Sequence, residues 1–106
     1  MKLIISAKDF RVNQWLKDYS AKKMDKLEKL LPADAEAKIE LDHDHNQHTG
    51  LVYRAEASVL LGGKTIKAGE KGTTMEAAID LTVPKLIQQV KKFKDKRQTL
   101  QRRSTR

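Results

Sequence analysis

Three lysines and a glutamine recur at helical spacing towards the end of the chain. The row consists of Lys85, Gln89, Lys92 and Lys96, which are separated by four, three and four residues. This spacing places them on one side of an α-helix. Ammonium groups in a row match the phosphates of a nucleic-acid backbone, and the glutamine amide can bond to a phosphate, a 2′-hydroxyl or a base edge. A face that is merely solvated usually carries acids between its lysines, so the row favours binding of a polyanion.

A second basic row lies in the first half of the chain. It consists of Lys22, Lys26 and Lys29, with Lys23 beside them. The row projects next to Trp15 and Tyr19, and aromatic side chains beside lysines can stack on bases. Three acids on the same segment dilute its charge, but we still expect the lysines to contact phosphates. A tryptophan at the edge of an apolar stripe is more typical of peripheral core, so we do not expect Trp15 to stack on a base.

The formal net charge of +8 is concentrated at one end of the chain. From Lys85 to Arg106 there are nine Lys or Arg residues and one acid, Asp95, whereas residues 1–84 contain 13 basic and 13 acidic residues. A local excess of this kind creates a positive field that attracts nucleic acid.

Length and composition exclude several classes of protein. A chain of 106 residues with 39% hydrophobic residues forms about one domain with a modest core. There is no cysteine, which excludes disulfides, thiolate nucleophiles and cysteine-ligated zinc and fits a reducing cytoplasm. Neither a signal-peptide core nor the roughly 20 apolar residues of a membrane span is present. We therefore expect a cytoplasmic protein with no membrane partner.

Three histidines form the one cluster with metal-ligand residue types. His43, His45 and His48 alternate with Asp42 and Asp44, and imidazole with carboxylate suits zinc or nickel. No second ligand group elsewhere closes such a site, so we interpret the segment as a polar hairpin loop and expect no metal or other cofactor. Nucleophile motifs and phosphate-binding glycine loops are also missing from the sequence, so we predict that the protein is not an enzyme.

The hydropathy pattern predicts the element order β-α-β-β-β-α. In chain order, the predicted elements are a strand around residues 3–7, a helix from the N-cap Asn13 to Pro32, a strand around 37–41, a long strand over 51–61, a hairpin at Gly62-Gly63, a strand over 65–70 and a helix after a capping box of Thr73 and Glu76. The first crossover joins parallel strands and the rest is an antiparallel meander. We therefore predict an α+β fold, a four-stranded mixed sheet with both helices packed on one face.

Both predicted helices carry an apolar stripe. The first stripe is Leu16, Ser20, Met24, Leu27 and Leu31, and the second is Met75, Ile79, Val83, Leu86, Val90 and Phe93. Pro84 lies inside the second helix, where a proline predicts a kink or an interruption. We assign residues 1–97 to one domain and interpret residues 98–106 as a basic, disordered tail.

One motif of the second helix consists of Met75-Glu-Ala-Ala-Ile-Asp80, then Lys85-Leu86, Gln89 and Lys92-Phe-Lys-Asp-Lys96. With these residues the helix resembles the C-terminal helix of the ribosome hibernation promoting factors. The Lys26-Leu27-Glu28 step and the Gly62-Gly63 hairpin resemble the family as well. The resemblance covers about residues 1–97 and implies a β-α-β-β-β-α domain similar to double-stranded-RNA-binding folds.

This resemblance implies a translation inhibitor that binds the small ribosomal subunit where tRNA and mRNA sit, in stationary phase or stress. Carried over by position, it supports Lys23, Lys26, Lys85, Gln89, Lys92, Lys94 and Lys96 as contacts with ribosomal RNA. The full predicted set of RNA contacts is Lys22, Lys23, Lys26, Lys29, Lys85, Gln89, Lys92, Lys94, Lys96 and Arg97.

The short hibernation type is the best match to this length, because there is no room for a C-terminal dimerisation domain and no acidic tail of the protein Y type. That type implies ribosome dimerisation together with a separate ribosome modulation factor, and we expect a monomer off the ribosome. Three alternatives remain open: inactivation of single ribosomes in the manner of protein Y, a non-ribosomal binder of double-stranded RNA or DNA, and a metal-binding module with an incidental basic tail.

Overall fold

The computed structural model describes the backbone of residues 1–8, 11–44 and 50–104, and the side chains of these residues as far as Lys96. In chain order the elements are β1 (Lys2–Lys8), α1 (Gln14–Glu28), β2 (Glu36–His43), β3 (Tyr53–Leu61), β4 (Lys64–Gly72) and α2 (Met75–Ser104). The predicted β-α-β-β-β-α order is confirmed. The third strand begins at Tyr53 rather than at the predicted Leu51, whose side chain is exposed.

The four strands form one mixed sheet in the order β1-β2-β3-β4. β1 and β2 are parallel, whereas the β2–β3 and β3–β4 pairs are antiparallel, as predicted. The tight connection between β3 and β4 is made by Gly62 and Gly63, whose φ angles of 59° and 77° lie in the left-handed region that glycine adopts without strain.

The core lies between one face of the sheet and the two helices. In the sheet, Ile39 of β2 is paired with Ile5 of β1 and with Ala57 of β3, and this row faces the helices. The helices contribute Leu16, Met24 and Leu27 from α1, and Met75, Ala78, Ile79, Val83, Leu86 and Val90 from α2. Both predicted stripes are therefore buried over most of their length. The opposite face of the sheet carries exposed charged side chains such as Lys38, Glu40 and Arg54.

The ends of the helices differ in part from the predictions. Asn13 caps α1 as predicted, because its side chain accepts a hydrogen bond of 2.8 Å from the backbone N–H of Leu16. The helix ends at Glu28, several residues before Pro32. α2 is capped by Thr74 rather than by Thr73, since the Thr74 hydroxyl accepts a bond of 3.0 Å from the N–H of Ala77. The N-cap is therefore displaced by one residue, and the predicted box with Glu76 does not form, because Ala77 occupies the third position after Thr74 and has no side-chain acceptor.

The packing of the end of β4 against α2 explains why the helix begins after Thr74. Gly72 is buried, and a Cβ atom at this position would lie 2.6 Å from the backbone nitrogen of Ala78. Such a distance is far inside van der Waals contact, so only glycine lets the strand approach the first turn of the helix.

α2 is one helix of 30 residues that contains Pro84 without interruption. It runs through Ser104, past the helix end near Arg97 expected from the sequence, because glutamine, leucine and arginine in this stretch are good helix formers. The division into a domain of residues 1–97 and a tail of 98–106 stays a prediction. Within the described ranges, no helix combines the length and the hydrophobicity of a membrane span.

Candidate nucleic-acid interface

A groove of about 810 Å³ runs between the two helices on the surface of the domain. Its floor is apolar and is formed by Val83, Pro84 and Ile87 of α2. Its walls are polar and consist of Tyr19, Lys22, Lys23 and Lys26 from α1 and Asp80, Gln88 and Lys91 from α2. Four ammonium groups and one carboxylate thus surround a single concave surface.

One end of the groove is held by a contact between the helices. The phenol of Tyr19 donates a hydrogen bond of 2.6 Å to a carboxylate oxygen of Asp80. The Lys23 ammonium lies 3.3 Å from the same oxygen and 5.4 Å from the centre of the Tyr19 ring. These three side chains link α1 to α2 and fix the width of the groove at this end.

The contact also raises the pKa of the tyrosine. The hydrogen bond to Asp80, together with burial and the negative charges of Asp80 and Glu76, raises the pKa of Tyr19 from 10.0 to about 12. Tyr19 is neutral at physiological pH with either pKa, so the shift records the strength of its contact with Asp80, whose charge is compensated by Lys23.

The remaining cations of the groove have no such compensation. Lys22, Lys26 and Lys91 are exposed, and none of them forms an ion pair with another described residue. Uncompensated ammonium groups on both walls of an open groove produce a positive potential directed at its interior. The groove can therefore receive a phosphate-bearing chain, with bases or sugars against the apolar floor.

A second basic surface lies on the other side of α2. Gln89, Lys92 and Lys96 line a shallow depression of about 300 Å³ together with Phe93 and residues of β4. From β4, the Lys64 ammonium lies 5.9 Å from the centre of the Phe93 ring. At 100° per residue, the groove side and the depression side of α2 are roughly 150° apart. The two predicted lysine rows consequently belong to separate surfaces.

Four predicted contacts lie outside both surfaces or outside the described side chains. Lys85 forms an ion pair with Glu70 of β4, so its charge is compensated within the protein. The half-buried Lys94 donates a hydrogen bond of 2.6 Å to the carbonyl of Leu30, just beyond α1, which links the end of α1 to α2. Lys29 is exposed at the end of α1, and the side chain of Arg97 is not among those described. As RNA contacts, these four stay predictions, and so do the six that line the groove and the depression.

The structure adds residues that the sequence rows do not contain. Gln88 and Lys91 line the groove, and Lys64 and Lys67 line the depression. Lys91 lies seven residues after Pro84 and eleven after Asp80, which places all three on one side of α2. That spacing is visible in the sequence, but only the packing of the helices shows that it faces the first lysine row.

Trp15 is not peripheral core, contrary to our expectation. Its side chain is 57% exposed. Its ring stacks on that of Tyr19, with centroids 5.2 Å apart and an interplanar angle of 20°. The tryptophan therefore extends the groove wall of α1 towards the start of the helix.

The histidine segment is described only in part. His43 stacks on Tyr53, its partner across the β2–β3 pair, with ring centroids 4.6 Å apart. His45 and His48 lie outside the described residues. The interpretation of the segment as a loop that binds no metal therefore stays a prediction.

Comparisons with known proteins agree with this geometry. The family described as Sigma 54 modulation protein / S30EA ribosomal protein matches residues 3–98. A curated relative, the ribosome hibernation promotion factor of Picosynechococcus sp., is 30% identical over 97 residues, which are 91% of this chain and 50% of that protein. The chain thus spans about half the length of this relative.

Two solved structures have the same fold. The N-terminal domain of protein Y from Thermus thermophilus gives a TM-score of 0.73 at 28% identity and covers 88% of this chain and 99% of its own. A ribosomal subunit interface protein from Coxiella burnetii gives a TM-score of 0.71 at 22% identity and covers 90% of this chain and 99% of its own.

Proposed function

Because the chain belongs to the Sigma 54 modulation protein / S30EA ribosomal protein family, we propose that it associates with the ribosome and inhibits translation. Its relative from Picosynechococcus carries the name ribosome hibernation promotion factor. We propose a binding protein rather than an enzyme, acting in the cytoplasm, where ribosomes work.

The binding site that we propose is the groove between the helices, with ribosomal RNA of the small subunit as its ligand. The observation that carries this proposal is the uncompensated charge of Lys22, Lys26 and Lys91 on the two walls of the groove. Ribosomal RNA presents closely spaced phosphates, and a groove with ammonium groups on both sides can contact one backbone from two directions.

On this proposal, the protein occupies the region of the small subunit where tRNA and mRNA bind, and so prevents initiation. Its consequence would be hibernation in stationary phase or stress, with pairing of ribosomes helped by a separate modulation factor. Inactivation of single ribosomes is the alternative outcome, and the two differ in the sedimentation of the ribosomes.

The test is sedimentation of extracts from starved cultures that express one of three proteins. The first is wild type, and the second is the groove variant Lys22→Glu, Lys26→Glu and Lys91→Glu. The third is a control with the same change of charge, Lys2→Glu, Lys38→Glu and Lys71→Glu, at exposed strand positions outside the groove and the depression.

We expect wild type and control to migrate with ribosomal particles and the groove variant to remain at the top of the gradient. Three attractive phosphate contacts become repulsive in this variant, which lowers affinity by about a hundredfold or more. Wild type at the top of the gradient would contradict ribosome association. A folded groove variant that migrates like wild type would contradict the groove as the site. Paired or single ribosomes in the wild-type gradient decide between dimerisation and its alternative.

A further inference from the structure

An aromatic surface adjoins the basic groove at the start of α1. Trp15 is 57% exposed, as much as Leu60 on the far side of the sheet, and it lies on Tyr19 with one face of its ring. We propose that the other face of Trp15 stacks on an unpaired RNA base while the lysines of α1 hold the adjoining phosphates. This inference rests on the proposed function for the source of the RNA, and it adds a base contact to that site.

The spacing along α1 supports a continuous contact surface. Trp15, Tyr19, Lys22 and Lys26 follow one another at steps of four, three and four residues and lie on one side of the helix. At a rise of 1.5 Å per residue, Lys22 lies roughly 10 Å along the axis from Trp15. A single-stranded backbone that leaves a base on the indole can reach the first lysine within one or two nucleotides.

The tryptophan is also held in place before any ligand arrives. Its stacking partner Tyr19 is fixed by the hydrogen bond of 2.6 Å to Asp80, so the aromatic pair is attached to α2 as well as to α1. A fixed ring loses little conformational entropy on binding. Stacking suits RNA without regard to sequence, because every base has a π-face, and the neighbouring ammonium groups select a phosphate-bearing ligand.

The fluorescence of the protein provides a direct readout, because Trp15 is the one tryptophan of the chain. The probes are a single-stranded oligoadenylate of about ten nucleotides, an abasic ribose-phosphate chain of the same length, and a blunt RNA duplex. We expect oligoadenylate to quench the indole emission, whereas the abasic chain and the duplex bind through the lysines and leave it nearly unchanged. No quenching by oligoadenylate, or equal quenching by the abasic chain, would overturn the proposal. A blue shift that grows with protein concentration in the absence of RNA would overturn it as well, because a second copy would then cover Trp15.

Three variants measure the contribution of stacking through the anisotropy of labelled oligoadenylate. Trp15→Ala should weaken binding about 5- to 150-fold, the range of one lost base stack, and Trp15→Phe should lose less. Leu60→Ala removes an equally exposed hydrophobic side chain from the other side of the domain and should bind like wild type. If Trp15→Ala bound like Leu60→Ala, the stacking contact would not exist. These measurements contain no ribosome, so failure of ribosome association and failure of base stacking give separate results.

Discussion

A buried hydroxyl group without a hydrogen-bond partner lies in the middle of α1. Ser20 is completely buried, and its Oγ atom has no hydrogen-bond partner within the described part of the chain. A serine in a helix can donate to the carbonyl four residues earlier, but this hydroxyl makes no such bond. Leaving a buried hydroxyl without a partner costs about 1–3 kcal/mol of desolvation. The apolar stripe of α1 therefore contains one residue that lowers the stability of the domain.

We predict that Ser20→Ala stabilises the protein. Removal of the unpaired hydroxyl, together with the better helix propensity of alanine, should raise the free energy of unfolding by about 1 kcal/mol. Urea denaturation followed by circular dichroism measures this change. The control is Ala21→Ser at the neighbouring exposed position of α1, which reports the propensity difference alone. A loss of stability in Ser20→Ala would show that the hydroxyl has a partner in solution.

The lysines of α2 show how one residue type serves three purposes on one helix. Lys94 donates to a backbone carbonyl beyond α1, Lys85 pairs with Glu70, and Lys91 has no ion pair among the described residues. Of these three, only Lys91 has a charge that is fully available to a ligand. The sequence alone cannot separate these roles, because each depends on a side chain that is distant along the chain.

At the scale of the elements, periodicity predicted which faces are buried. Leu16 and Met24 of α1 and Ile79 and Leu86 of α2 lie in the core, as their spacing indicated. The ends of the elements were predicted less well. Thr73 and Thr74 are both able to cap a helix, and the choice of Thr74 depends on the contact of β4 with the first turn of α2, which local sequence does not contain.

The site could be predicted only as two separate helix faces. Spacing identified a basic side on each helix, and Lys22, Lys23 and Lys26 do line one groove. The rotation of α1 relative to α2 is set by tertiary packing, so the sequence could not show that Lys91 rather than Lys92 faces these lysines. The exposure of Trp15 was missed for the same reason.

We predict that the depression between α2 and β4 is a second, independent contact with ribosomal RNA. The variant Lys64→Gln, Lys92→Gln and Lys96→Gln should fold normally, because exposed substitutions change stability by roughly 0.5 kcal/mol, and should bind small subunits about tenfold or more weakly. Pelleting with purified subunits gives the affinity. When these substitutions are combined with Gln substitutions of the groove lysines, the two losses of binding free energy should add, because the two surfaces share no partner. If this variant bound small subunits with wild-type affinity, the depression would not contact ribosomal RNA.

The whole molecule separates its charges between two sides. The helix side carries the groove and the depression, in which lysines outnumber acids, whereas the open face of the sheet alternates signs. On that face Lys8, Arg54 and three acids lie close together. Because charges of opposite sign cancel at a distance, the long-range field of the protein comes mainly from the helix side. This field therefore turns the helix side of the protein towards a polyanion before any specific contact is made.

The salt dependence of binding measures the number of contacts between lysines and phosphates. Three lysines of the groove and four of the depression are free of ion pairs within the described residues. At roughly 0.7–0.9 released counterions per contact, seven contacts give a slope of about −5 to −6 for the logarithm of affinity against the logarithm of salt concentration. Filter binding of small subunits over a range of salt concentrations measures this slope.

Replacing Lys22, Lys26 and Lys91 with Gln should make the slope shallower by about 2 to 3, whereas Gln at Lys2, Lys38 and Lys71 should leave it unchanged. A wild-type slope near zero would mean that neither lysine surface contacts phosphate, and an equal reduction by both sets would mean that the charge acts only through the field of the whole protein.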